Sequence, residues 1–138
     1  MNRKFSVGLF ALMALAGNTF ADTTSCPQVS DIKQSRMDIG GYVYTADGPR
    51  GQVWNGENDH AEASYLKDSN FSGAQYKEKT DQRNSMDAVI CDYEGSGAAG
   101  VRLVLKPVHE WQPADGSNWT DKSCQSTDVA KCSFNHIY

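Results

Sequence analysis

The chain has 138 residues, 39% of them hydrophobic, 10% aromatic and 22% charged, and its 13 Lys+Arg against 17 Asp+Glu give a formal net charge of −4. That length holds one domain of ordinary size, with a modest core. An acidic balance without a basic cluster argues against nucleic acid and anionic lipid as partners, since both need positive charge facing phosphate.

Taken in chain order, residues 1–21, MNRKFSVGLFALMALAGNTFA, place Arg3 and Lys4 ahead of an apolar run and end on small residues at Thr19 and Ala21. This is the three-part layout of a secretory signal peptide cut after Ala21, and Gly17 and Asn18 interrupt the run before it can span a bilayer. Asp22 follows the cut, so neither a lipid anchor nor a stable membrane anchor is expected. Removing the leader leaves residues 22–138 as a single β-rich domain, with 11 basic against 17 acidic side chains and a net charge of −6.

All four cysteines, Cys26, Cys91, Cys124 and Cys132, fall in that domain. An even count in a small exported domain reads as disulfides, and four cysteines allow three connectivities. Cys124 and Cys132 enclose the short polar loop QSTDVAK, which pairs them with each other and Cys26 with Cys91. No close C-x-x-C pair or tight Cys/His cluster offers a zinc site. No metal or cofactor is expected.

The domain is rich in short alternating segments and turn residues and poor in long 3.6-residue periods, which predicts an all-β fold. Residues 29–37 read either as a strand or as a helical turn capped by Ser30. GYVYTADGPRGQVWNG, residues 41–56, reads as a hairpin. With Gly48-Pro49-Arg50 as its loop, Tyr44 pairs directly with Trp54 and Tyr42 shares their face; a loop starting at Asp47 sends Trp54 to the other face. The first register is expected, with that aromatic face mostly buried. HAEASYLKD (60–68) and NFSGAQYKEK (70–79) read as half-buried strands, and residues 79–85 as a polar loop.

MDAVICDYEG (86–95) carries apolar residues on both faces and is predicted as a central strand. GVRLVLKP (100–107) alternates Val101, Leu103 and Leu105 with Arg102 and Lys106, and EGSGAAG between the two is hairpin turn chemistry. From Trp111 onward the chain reads as irregular, with DGSNWTDKS as loop and CSFNHIY as a last strand pinned by Cys132.

Chemistry-bearing patterns are sparse. No G-x-S-x-G elbow occurs, and GSGAAG lacks the P-loop lysine. One constellation merits testing as acid/base machinery: GENDHAE, where His60 stands among Glu57, Asp59 and Glu62. Tyr and Trp join apolar area to a polar handle, which makes Tyr42, Tyr44 and Trp54 candidate contacts for a partner or a sugar as well as core fillers.

Cys26-Pro27, Tyr44-Thr45-Ala46 with Trp54-x-Gly56, Phe71-x-x-Ala74-x-Tyr76, Cys91-x-Tyr93 and Cys132-x-Phe134, together with the leader, resemble a family of small exported bacterial proteins, DUF3757, a domain of unknown function. The resemblance implies a bacterial, periplasmic or secreted protein. It carries no catalytic residue to this chain.

These readings predict a single small disulfide-stabilised antiparallel β-sandwich or compact β-sheet domain. Its expected role is an exported binding module that engages another protein, as an inhibitor, immunity or effector-like factor, rather than an enzyme. The hypothetical contact residues are Tyr42, Tyr44, Trp54, Glu57, Asp59 and His60. The alternatives are carbohydrate or cell-wall binding through the aromatics, and a small hydrolase using the acidic patch around His60.

Overall fold

The computed structural model describes residues 22–80, 86–96 and 99–137. The leader, much of the expected 79–85 loop, the tip of the 94–100 turn and Tyr138 lie outside these. Within them are eleven strands: β1 (Asp22–Thr24), β2 (Lys33–Arg36), β3 (Tyr42–Asp47), β4 (Val53–Asn58), β5 (Asn70–Lys77), β6 (Ala88–Glu94), β7 (Gly100–Leu105), β8 (His109–Pro113), β9 (Trp119–Thr120), β10 (Ser123–Gln125) and β11 (Phe134–Ile137). They form an eight-stranded sheet of order β2-β3-β4-β7-β6-β5-β10-β9 and a three-stranded sheet of order β1-β11-β8. The strand ladders are antiparallel, so the expected all-β, disulfide-stabilised domain is the one that forms.

Alternation explains the large sheet. On β7, Val101, Leu103 and Leu105 are buried while Arg102 is exposed; on β6, Val89, Cys91 and Tyr93 are buried, with Ala88 buried on the opposite side. β6 lies between β7 and β5, the interior position its two apolar faces predict. β7 stops before a cis Lys106-Pro107 bond, where proline cannot continue the ladder. From the small sheet, Phe134 and His136 point into the interior, and Phe134 joins the cluster that holds Trp54, Tyr93 and Leu103.

Both expected disulfides are present. Cys26–Cys91 ties the segment after β1 to the middle of the large sheet, and Tyr93 Oη reinforces the tie by donating to the Pro27 carbonyl at 2.6 Å. Cys124–Cys132 closes the loop between β10 and β11, in which the Asp128 carboxylate accepts from the Ala130 amide at 3.0 Å.

The hairpin register differs from the expected one. Tyr44 pairs with Gly56 and Ala46 with Trp54, while Asp47 and Val53 close the ladder. The connection is five residues long because Gly48 N–H donates to Gln52 O at 2.8 Å, and Gln52 N–H to Pro49 O at 2.9 Å, around a 3-10 turn. Two extra residues shift the partners and preserve the face, since side chains repeat every second residue. Tyr44 and Trp54, each 1% exposed, therefore stay together in the core, as the burial expectation required.

Three other segments depart from the sequence reading. Residues 60–68, expected as a strand, are not one and hold turns over 63–68, with Tyr65 N–H to Glu62 O at 3.0 Å and Asp68 N–H to Ser64 O at 3.1 Å. Ala61 and Leu66 are the residues this segment buries, a spacing that alternation cannot supply, and local bonds serve a backbone with which no strand among the described residues pairs. Residues 29–37 hold both alternatives in succession, a 3-10 turn (Val29–Asp31) and then β2, but Gln28, not Ser30, sits at the cap position. The tail expected as irregular contains β8, β9 and β10.

Candidate functional site

The acidic constellation does not assemble. His60 has a side chain 92% exposed, and its Nε2 lies 4.0 Å from Asp59 Oδ1, beyond hydrogen-bond reach. β4 ends at Asn58, whose Oδ1 accepts from the His60 amide at 2.9 Å and turns the imidazole outward. Glu57 and Asp59 instead line a groove of about 420 Å³ with Asp92, Glu94 and Arg102, and His60 is not in its lining. Arg102 clamps Asp92 there through Nε at 2.6 Å, a bond that raises the guanidinium pKa. Among the described residues no group of three or more His, Cys, Asp or Glu could hold a metal ion.

Tyr44 and Trp54 are core residues and present no stacking face to solvent. Burial raises the Tyr44 phenol pKa, with Tyr42 and Tyr65 adding to the effect, and Tyr44 Oη has no hydrogen-bond partner. Tyr42 is half-buried against the same cluster.

The aromatics nearer the surface are ones the sequence reading did not single out. Tyr76 on β5 stacks on Trp111 of β8, with centroids 4.5 Å apart and planes 3° apart, and Trp111 meets Trp119 edge to face at 4.9 Å. Trp119 Nε1 donates to Ser133 O at 2.9 Å. Burial, together with a hydrogen bond to Asp87, pushes the Tyr76 phenol up to about 12. The rings engage one another and fasten the small sheet to the far half of the large one, which is a packing role.

At the opposite end of the large sheet stands β2, the terminal strand, with all four of its residues exposed. Its sequence is Lys-Gln-Ser-Arg. Pairing with β3 puts Lys33 opposite Thr45 and Arg36 opposite Tyr42, so the two cations point to opposite faces of the sheet. Neither takes part in an ion pair among the described residues. The turn from β2 to β3 is closed by Met37 N–H to Gly41 O at 3.0 Å and needs left-handed backbone at Gly40 and Gly41 (φ 102° and 80°), which glycine supplies at little cost. This tight reversal holds Ile39 at the tip, 84% exposed.

The start of β2 borders a cleft of about 740 Å³ whose walls include Thr24, Ser25, Gln28, Asp31, Lys33 and Asp47. Its lining is rich in hydroxyl, amide and carboxylate groups, and Trp54 is among the residues that border it. Ligand recesses commonly have this size, though most are more apolar.

Sequence reasoning missed β2 as a surface because an edge strand exposed on both faces carries no apolar period. The signal present was the pair of cations in an otherwise acidic chain. A family model described as a protein of unknown function (DUF3757) matches residues 20–135. No curated protein and no solved structure matches the chain.

Proposed function

The chain belongs to the DUF3757 family, and from that premise we propose that it is an exported binding module that engages another protein through the β2 edge and the Ile39 turn. The observation that carries this reading is the conjunction of a terminal strand exposed at all four residues with an isoleucine 84% exposed at its end. Strand edges offer unpaired backbone groups, and a large aliphatic side chain held in water gains by being covered. Two disulfides support export, because such bonds persist in oxidising compartments. Among the described residues no helix is long and apolar enough to cross a membrane.

The test is affinity capture from an envelope extract with the oxidised chain 22–138 and its Ile39→Asp variant. The substitution lies in an exposed turn, so circular dichroism of the variant should match the parent. A partner retained by the parent and lost by the variant supports the reading; equal retention by both removes this surface from it.

The polar cleft favours a second reading, recognition of a carbohydrate. Trp54 borders the cleft, so glycan binding there should change intrinsic tryptophan fluorescence, and a flat titration counts against it.

A further inference from the structure

Resting on the protein-binding reading, we infer that the partner presents an extended acidic segment, which adds to the large sheet as a further strand along β2 and runs its end into the cleft beside Lys33. Among the described residues, no backbone group of residues 33–36 bonds to main chain outside the ladder with β3. A strand in that position has a row of donors and acceptors on its far side that another extended chain satisfies directly.

Charge selects which chain. The strand places one cation on each face of the sheet, and an added strand meets both faces because its own side chains alternate. Carboxylates near Lys33 and Arg36 are attracted, and cations there are repelled. Asp31 and Asp38 flank the strand, so the complementary acids belong opposite its body and not beyond its ends.

The same pattern disfavours a second copy as occupant. In the antiparallel register that pairs the whole of β2 with itself, Lys33 faces Arg36, like charge against like. A short charged edge resists pairing with its own copies while still accepting a strand of opposite sign.

The two ends of β2 extend the contact. Ile39 stands past Arg36 and offers an apolar anchor, and the cleft lies beside Lys33. Its hydroxyl and amide groups suit the uncharged backbone of a chain end, while its Asp31 and Asp47 carboxylates repel acidic side chains and keep the acids of the segment opposite the body of the strand.

The probe is a short capped peptide alternating glutamate with valine, compared with its lysine-for-glutamate counterpart and with a version carrying proline at alternate positions. Calorimetric titration of the oxidised chain 22–138 should show binding of the glutamate peptide, weaker at high salt, with new amide exchange protection at residues 33–36. Lys33→Glu combined with Arg36→Glu should reduce the affinity about tenfold or more, as expected for the loss of two surface ion pairs and their replacement by repulsion. Equal binding of the lysine or the proline peptide, indifference to the double reversal, or absence of binding by the glutamate peptide overturns the inference. So does a dimer in light scattering that the double reversal abolishes. If the peptide fails while capture still depends on Ile39, the protein-binding reading survives and the acidic strand does not. Loss of the Ile39 dependence instead counts against that reading itself.

Discussion

His136 shows how one residue couples the fold to pH. It lies on β11, is 1% exposed, and its Nε2 is 2.8 Å from Thr24 Oγ1 on the neighbouring strand. Burial disfavours the imidazolium and lowers its pKa below the ordinary 6.5; Asp22 pulls the other way, and His109 adds to the lowering. The unfolded chain therefore binds a proton more readily than the folded one. Stability from this site is complete above pH 6.5 and is lost as pH falls through the depressed folded value. Thermal unfolding should show Tm dropping as pH falls below the ordinary histidine value of 6.5, with a smaller drop in His136→Gln, although that variant starts less stable. An equal drop in both would assign the acid sensitivity to other groups.

Among the elements, the crossing of β4 and β7 has the tightest requirement. A Cβ built on Gly56 would lie within 1.9 Å of the Arg102 carbonyl oxygen, a backbone atom that cannot move aside as a side-chain tip could. Gly56→Ala should therefore destabilise the domain by about 3 kcal/mol or more, at the upper end of overpacking costs. The check is a lower urea midpoint, and a midpoint unchanged from the parent would mean the strands separate cheaply. The aromatic contacts of Tyr76, Trp111 and Trp119 act at the same scale by holding β8 against β5 and β9. They also explain why β8 forms in a segment whose sequence has little alternation: its backbone pairs with β11 and its indole packs across sheets.

For the whole molecule, the two disulfides contribute unequally. Cys26–Cys91 spans 65 residues of sequence and Cys124–Cys132 only 8, while all four half-cystines are buried to a similar degree. Packing losses on removal should then be comparable, and the difference comes from the unfolded chain. Loop-closure entropy makes the long bridge more stabilising by about 2 kcal/mol. Guanidinium unfolding of the two double Cys→Ala variants measures this, with the Cys26/Cys91 pair expected to be the weaker protein. The reverse order would show that native packing around the short loop outweighs chain entropy.

What the sequence by itself determined was set by period and by covalent chemistry. Alternation in GVRLVLKP and MDAVICDYEG located β7 and β6, because a half-buried strand must repeat every second residue. The short spacing of Cys124 and Cys132 picked their pairing from three, whereas the face shared by Tyr44 and Trp54 was chosen from two registers by the five-residue connection between β3 and β4. Tertiary structure alone decided the rest. Residues 60–68 alternate in sequence, yet no strand among the described residues pairs with them, and local turns serve their backbone. Adjacency of His60 to acids in sequence could not make a site, since the end of β4 turns the imidazole into solvent. The edge position of β2 became visible only with the strand order known, because whether Lys33–Arg36 has a second neighbour among the described residues depends on where every other strand pairs.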